Sequence, residues 1–210
     1  MSCVKSQHGF FRPLSLGDEL NFRLTYDGPL KSQSQSDSRR TEKHAIRCAL
    51  SKQLYQLMQF KSDILEREWE NMPSAEFRAL VHRRGNLSFL ALVRERLNLV
   101  CDLDILFLRR ENPGSLICEG GDIDNRIKVL FDALRIPQDD NEVRGLPPDN
   151  HFIICLTEND SLITGFRVTT DRLLEPPEIE EHQNCVRLII NVEIKATKLT
   201  EENLAYFSHF

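Results

Sequence analysis

Residues 120–140 constrain the fold more than any other part of the chain. Two glycines lead into a segment whose apolar residues recur at helical spacing and share one face: Ile123, Ile127, Leu130 and Leu134. Pro137 follows and ends the helix, because proline cannot continue it. A short helix with one apolar face must bury that face, so we expect this helix to pack against a sheet.

Five other segments supply candidate strands for that sheet. Their apolar residues alternate or run continuously over strand-like lengths, in residues 19–26, 97–108, 152–157, 162–170 and 185–195. Residues 87–93 fit a strand and a helix equally well. The mixture of helices and strands predicts an α+β fold, with a mixed or antiparallel sheet and the helices packed on one face.

The first half of the chain also contains helical patterns. Polar residues 31–40 predict a loop or arm, and residues 41–59 predict an amphipathic helix. A second short helix is expected over residues 63–71. Ser74 is a good N-cap for a third, and Gly85 a plausible stop for it.

We interpret the whole chain, residues 1–210, as a single domain. In this interpretation residues of about 41–85 form a helical insertion, and residues of about 171–210 form an acidic C-terminal extension. The length of 210 residues suits one well-packed core, and a second domain is not required.

Composition narrows the class of protein. With 40% hydrophobic and 28% charged residues, the chain has the balance of a globular protein. No apolar run reaches the roughly 18 residues of a membrane span, and the first residues lack the apolar core of a secretory signal. The six cysteines are scattered without a C-x-x-C pair, which indicates reduced thiols. We therefore expect a cytoplasmic protein with no membrane partner.

The charge distribution leaves room for a nucleic-acid surface. The net charge of −5 argues mildly against such a partner, but arginines outnumber acids between residues 78 and 110. For any single arginine, a solvated position explains its presence at least as well. The candidate contacts with a phosphate backbone are Arg39, Arg40, Arg83, Arg84, Arg109, Arg110 and Arg126.

Carboxylates gather around the helix of residues 123–134. Asp122 lies at its entrance, Asp124 lies in its first turn, and Asp139 and Asp140 follow its end. Carboxylate oxygens are the ligands that Mg²⁺ and Mn²⁺ prefer, and three aspartates around an open face would supply such a site. Single aspartates are also common at helix starts and in turns, so only the whole set favours a metal site.

Lys128 follows Asp124 by four residues and lies on the same helix face. Its compact cation suits the charge that develops on a phosphate during its transfer. The same spacing also fits an ordinary ion pair between Asp124 and Lys128, which would stabilise the helix by about 0.3–0.5 kcal/mol. A second D-x-D, Asp102 and Asp104, lies in a strand and is better explained as a polar strand face. Its expected partners are Arg94, Arg96 or Arg109.

This segment resembles the core motif of RusA-type Holliday-junction resolvases. That motif is D-[LI]-D-N-x-x-K-x-x-x-D-A-L followed by D-D-x-x-[VI]. Here it reads Asp122-Ile-Asp-Asn-Arg-Ile-Lys-Val-Leu-Phe-Asp-Ala-Leu134 and then Asp139-Asp140-Asn-Glu-Val143, about a tenth of the chain. The resemblance implies a small, homodimeric α+β endonuclease that depends on Mg²⁺ and cuts four-way DNA junctions.

The resemblance also implies roles for single residues. Asp122, Asp124 and Asp140 would be the metal-binding catalytic acids, and Lys128 the catalytic lysine. Asn125 and Asp132 would take supporting positions. The spacer before Asp139 is shorter than in the family, so Asp139 is an alternative third ligand. The chain is also longer than the family's members, largely in residues 41–85 and in its C-terminal third.

Three functions are therefore open. The first is a Mg²⁺-dependent endonuclease that hydrolyses DNA at Holliday junctions or other branched junctions. The second is a catalytically silent RusA-like protein that binds nucleic acid or takes part in an assembly. The third is a metal-dependent transferase of the D-x-D type, for which the sequence offers no phosphate-binding G-x-G-x-x-G pattern.

Overall fold

The computed structural model describes residues 19–31, 36–60, 80–110, 122–149, 151–174, 185–204 and 207. The strands in these parts are β1 (Glu19–Pro29), β2 (His82–Arg84), β3 (Leu87–Val93), β4 (Leu99–Arg109), β5 (Phe152–Thr157), β6 (Ile163–Arg172) and β7 (Cys185–Ala196). The helices are α1 (Ser36–Phe60), α2 (Asp122–Leu134) and α3 (Glu201–Leu204). Short 3₁₀ turns cover Glu95–Leu97, Asp140–Val143 and Asp160–Leu162. This content confirms the predicted α+β class.

The larger sheet has four strands in the order β1-β7-β4-β6. β7 is antiparallel to both of its neighbours, and β4 is parallel to β6, so the sheet is mixed. Alternate residues of β4 and β7 are buried, as period-two patterning requires. One face of the sheet is therefore apolar. The opposite face, which we call the open face, carries polar and charged side chains.

A second sheet of three strands, in the order β2-β3-β5, was not predicted. β3 pairs with β2 antiparallel and with β5 parallel. Six of its seven residues are buried, so it lies between two packed layers and its sequence shows no alternation. This burial explains why residues 87–93 fitted both a helix and a strand.

Gly85 does not end a helix, in contrast to the prediction. It lies in the two-residue turn between β2 and β3, with a φ of +53°. A glycine in the left-handed region serves a helix end and a tight turn equally well, so the residue alone does not distinguish them. The helices predicted over residues 63–71 and from Ser74 lie outside the described residues.

The two long helices pack on the apolar face of the larger sheet. α1 contributes Ile46, Leu50, Leu54 and Met58 to the same core cluster as the strands. α2 contributes Ile127, Val129, Leu130, Ala133 and Leu134. Each fully buried Leu or Ile stabilises the fold by roughly 1.5–3 kcal/mol, and most of the predicted apolar stripe of each helix is this buried face.

α1 begins at Ser36, inside the segment that was predicted to be a loop or arm. Residues 36–40 include no apolar residue, and the described side chains of Ser38 and Arg39 are exposed. The polar composition of these residues therefore did not predict the first turn of α1. The core residues of α1 also make it an integral layer of the fold.

β7 lies between β1 and β4, in the interior of the larger sheet. Its residues pair along its whole length, from Cys185 opposite Pro29 to Ala196 opposite Leu99. The strand of residues 185–196 is thus a central part of the larger sheet. Within β7 the one acid, Glu193, alternates with the buried positions.

The two outer edges of the larger sheet differ. At the edge of β1, the backbone N–H of Thr25 donates to Oε1 of Gln53 at 2.9 Å, and Nε2 of Gln53 donates to the carbonyl of Thr25 at 2.7 Å. A side chain of α1 thus takes the place of a neighbouring strand. At the edge of β6, no described strand pairs with the backbone.

None of the described helices combines the length and the apolar composition needed to cross a bilayer. The cysteines Cys48, Cys101, Cys155 and Cys185 are free thiols. Burial raises the pKa of Cys101 and of Cys155 to about 12, so both remain protonated at neutral pH.

Candidate metal and nucleic-acid site

The first turns of α2 present one acid and one base to solvent. Among the side chains of α2 that the structure describes, only Asp124 and Lys128 are exposed. They lie one turn apart, so they share the solvent-facing side of a helix that is otherwise wholly or partly buried. The predicted placement of both residues on one helix face is therefore correct, and the structure adds that this face is exposed.

Asp124 and Lys128 do not form the ordinary ion pair that their spacing allows. Neither side chain makes a hydrogen bond or ion pair with another residue in the described part of the chain. Asp102, in contrast, is fully engaged, as described below. The carboxylate of Asp124 and the ammonium of Lys128 are thus both available to a ligand.

Asp122 is the first residue of α2, at the predicted entrance of the helix. Its side chain lies outside the described residues. The three-acid set that the resemblance implies includes this side chain, so the set stays a prediction. Among the described side chains, no three or more of His, Cys, Asp and Glu come close enough together to hold a metal ion.

Asp139 and Asp140 occupy a tight turn beyond the end of α2. The carboxylate of Asp139 caps the 3₁₀ turn and accepts from the N–H groups of Asn141 at 2.9 Å and Glu142 at 3.2 Å. Oδ1 of Asp140 accepts from the N–H of Gly85 at 2.9 Å. Asp139 thus has a capping role, and each of these two exposed aspartates has one oxygen engaged.

A buried charge network holds this turn against α2. The guanidinium of Arg135 is 5% exposed and donates to Asp132 at 2.7 Å and to Glu142 at 3.1 Å. Asp132 also accepts from Lys43 of α1 at 3.0 Å. Burial lowers the pKa of Arg135, but the hydrogen bond and charge of Glu142, followed by those of Asp132, outweigh it and raise that pKa. The network ties α1, α2 and the turn of Asp140 into one unit.

Arg126 belongs to the interior and not to a nucleic-acid surface. Its side chain is 4% exposed, and its guanidinium donates to the carbonyl of Leu30, just after β1. Its position on α2, two residues after the exposed Asp124, turns it toward the core. The prediction that Arg126 contacts a phosphate backbone is not consistent with this burial.

The other predicted arginines lie on three elements, namely α1, β2 and the end of β4. Arg39 is exposed on α1, and Arg83 is exposed on β2. Arg84 is half-buried and donates to the carbonyl of Pro137 at 2.9 Å. Arg109 and Arg110 lie at the far end of β4, where Arg109 is half-buried and Arg110 exposed.

Arg40 lines a polar groove next to the turn of Asp140. The groove has a volume of about 500 Å³ and lies between the beginning of α1 and the chain that follows the 3₁₀ turn. Arg144, which sequence reasoning missed, lines the groove from the opposite side. The only sequence signal for this role of Arg144 is its position four residues after the Asp139-Asp140 pair. The groove thus joins two arginines that are far apart in sequence.

Asp102 has a structural role on the open face. It binds Nζ of Lys195 at 3.0 Å and accepts from the hydroxyl of Thr164 at 2.7 Å. The hydrogen bonds from Lys195 and then from Thr164 lower the pKa of its carboxyl group. Its predicted partners, the arginines, are replaced by Lys195 because register places β7 beside β4. The neighbouring Asp104 is exposed.

Scans of the chain against protein-family models, curated proteins and solved structures found no match.

Proposed function

We propose that this chain is a Mg²⁺-dependent endonuclease that hydrolyses DNA phosphodiesters at Holliday junctions or other branched junctions, acting as a homodimer. The observation that carries the proposal is the exposed pair of Asp124 and Lys128, on a helix that offers no other exposed described side chain. A helix that only fills the core needs neither residue. An acid and a base that face solvent without a partner are suited to a ligand that is itself charged.

An available carboxylate such as that of Asp124 suits a hard divalent cation. Mg²⁺ is commonly held by one or two carboxylates together with water and substrate phosphate, rather than by a complete protein cage. Asp124 offers a carboxylate that has no partner among the described residues, and the predicted Asp122 and Asp140 would complete the set. When bound, Mg²⁺ would neutralise charge on the scissile phosphate and lower the pKa of a coordinated water.

The remaining residues have roles in holding and stabilising the substrate. The ammonium of Lys128 would balance the negative charge that develops on the phosphate or on the leaving oxygen. Arg40 and Arg144 would contact the phosphate backbone in the groove beside Asp140. The Arg135 network would fix the turn of Asp140 relative to α2.

A second candidate is a protein that binds branched DNA without cutting it. The observation that favours it is the engagement of Asp139 and Asp140 in hydrogen bonds to backbone N–H groups, which is ordinary turn chemistry. Under this reading the arginine groove would remain a binding surface. The two functions differ in turnover and not in affinity.

Cleavage of a synthetic four-way junction in Mg²⁺ distinguishes the candidates. We expect the wild type to nick the junction. Asp124→Asn should cut at least about 100-fold more slowly, because removal of one group that stabilises charge in the transition state typically lowers the rate by about this factor. Asp104→Asn is the matched control, because Asp104 is an exposed aspartate remote from α2. It should cut normally, and both variants should unfold like the wild type.

Binding and melting provide readouts that are independent of cleavage. Junction affinity should fall steeply with salt, because phosphate contacts release counterions. Mg²⁺ should raise the melting temperature of the wild type, because an ion that binds only the folded chain stabilises it, and should do so less for Asp124→Asn. Junction binding without cutting by wild type and variant alike would establish the binding protein and reject the nuclease.

A further inference from the structure

The outer edge of β6 is the strongest feature that the proposed function does not use. No described strand pairs with this edge, whereas the edge of β1 is bonded to Gln53. An open edge is a template for pairing with another chain, and proteins commonly block it by shortening the strand or inserting proline. β6 is ten residues long and contains no proline. The edge therefore has the length and the backbone to pair.

The side chains of β6 favour an added strand. Its centre consists of Val168, Thr169 and Thr170, which are β-branched and suit a pleated surface. The ring of Phe166 is 59% exposed, although it packs edge-on against Phe131 of α2 with their centroids 5.1 Å apart. An ordered aromatic ring thus stands in solvent beside the open edge, where a partner would cover it.

Symmetry restricts how a second copy could pair with this edge. A two-fold axis perpendicular to the sheet keeps each face on its own side, so opposing residues must come from the same face. Arg167 and Asp171 share the open face, since their neighbours across the ladder are Asp104 and Leu108. An axis at either of these residues would oppose two like charges, which is unfavourable.

An axis at Thr169 gives the complementary register. Arg167 then faces Asp171 of the partner subunit, and the same pair forms a second time across the axis. On the apolar face, Val168 meets Thr170 of the partner subunit. Phe166 meets Arg172 of the partner subunit, where a guanidinium can stack on the exposed ring. Charge, aromatic contact and β-propensity thus agree on one register.

We propose that two copies of this chain associate by antiparallel pairing of β6, with the two-fold axis at Thr169, which joins two four-stranded sheets into one. The proposed function contributes only the expectation of a second subunit, and the interface is argued from the strand itself. The ladder alone covers less than the roughly 1,600 Å² of a standard interface, so we expect a dissociation constant in the micromolar range.

A disulfide on the axis tests the register directly. The substitution Thr169→Cys places a thiol opposite its own copy, at the Cα separation of about 4.5–5.5 Å found in antiparallel pairs. That separation suits a disulfide, so mild oxidation should give a covalent dimer in which mass spectrometry finds position 169 joined to position 169. Thr25→Cys on the closed edge of β1 is the matched control and should not give such a dimer.

A charge exchange tests the contact between Arg167 and Asp171. Arg167→Glu creates two repulsive acidic pairs in the dimer, and Asp171→Lys creates two repulsive basic pairs. Each variant alone should raise the dissociation constant at least about tenfold in sedimentation equilibrium. An equimolar mixture should recover the affinity of the wild type, because each introduced charge then faces an opposite charge. Arg23→Glu, on the opposite edge strand, should associate normally.

The mixture separates an interface effect from damage within one chain. A misfolded variant would not recover on mixing with another. The proposal is overturned if the wild type is monomeric throughout the micromolar range. It is also overturned if both charge variants dimerise with the affinity of the wild type, or if their mixture stays monomeric. All these readouts measure association, so they stand apart from junction cleavage. Dimerisation without cleavage would keep the interface and reject the nuclease.

Discussion

Two aspartate–lysine pairs in this molecule have opposite environments. Asp102 on β4 binds Lys195 on β7 at 3.0 Å and also accepts from Thr164. Asp124 and Lys128 on α2 are one turn apart, yet neither has a partner among the described residues. Both aspartates belong to a D-x-D pattern. The D-x-D pattern alone therefore does not predict the role of its aspartates. The neighbouring elements decide whether the carboxylate binds another residue or is available to a ligand.

The register of the sheet explains the engagement of Asp102. Asp102 lies opposite Glu193, and Lys195 reaches both carboxylates at 3.0 Å, so the cation reduces the repulsion between two facing acids. On α2, no described strand or helix covers the face of Asp124 and Lys128, so no described residue supplies such a partner. A carboxylate that the fold leaves unpaired is the better candidate for binding a metal ion.

The largest expected effect is on stability and concerns Arg135. This arginine binds Asp132, an acid on α2 like Asp124. Arg135→Met leaves Asp132 and the largely buried Glu142 without their shared cation, and should lower the free energy of unfolding by about 3 kcal/mol. Urea denaturation measures this loss. The control is Arg96→Met, whose ion pair with Glu202 is 3.6 Å long and exposed, and which should cost less than about 1 kcal/mol. Equal losses would show that burial does not distinguish these pairs.

A smaller expected effect falls on activity alone. Lys128→Met should reduce junction cleavage by about 100-fold, because the removed ammonium would stabilise charge in the transition state. The unfolding free energy should stay within about 0.5 kcal/mol of the wild type, since an exposed residue without a partner contributes little. Lys198→Met removes another exposed lysine and should retain full activity. A loss of stability in Lys128→Met would show that Lys128 has a structural role, like Lys195, and would contradict the prediction.

The smallest expected effect is on Asp102. Asp102→Asn should lower stability at pH 7 by less than about 1 kcal/mol, because the ion pair with Lys195 is about one third exposed and is screened by solvent. The folded-state pKa of Asp102 is lowered, first by the hydrogen bond from Lys195. Its contribution is therefore complete above the unfolded pKa of about 3.9 and is lost as the pH falls through the folded pKa. Denaturation at pH 7 and at pH 3 tests whether the difference between variant and wild type shrinks in acid.

The sequence predicted the elements better than their arrangement. Periodicity placed α2 and the strands at 152–157 and 185–195 within a residue or two, because apolar spacing directly reflects one buried face. It did not reveal two sheets, since strand partners are chosen by contacts between distant residues. It also misread Gly85, whose conformation suits a turn and a helix end alike.

In the candidate site, too, local features were predicted and long-range packing was not. The shared face of Asp124 and Lys128 followed from helical geometry, so local sequence was sufficient for it. The burial of Arg126 and the groove shared by Arg40 and Arg144 depend on how α1 and α2 pack. Local sequence contains no signal for such packing. The three-acid set remains a prediction because the side chain of Asp122 lies outside the described residues.

The interior position of β7 has a consequence for synthesis of the chain. β1 is made early, but its partner is made late, and the bonded pair Arg23 and Asn191 are 168 residues apart. At the translation rate of 5–20 residues per second, β1 waits roughly 10–30 s on the ribosome before β7 emerges. During this interval the nascent chain exposes the apolar faces of both β1 and β4. Completion of the larger sheet is therefore a late, concerted event, and chains interrupted before residue 185 should be substrates for chaperones or proteases.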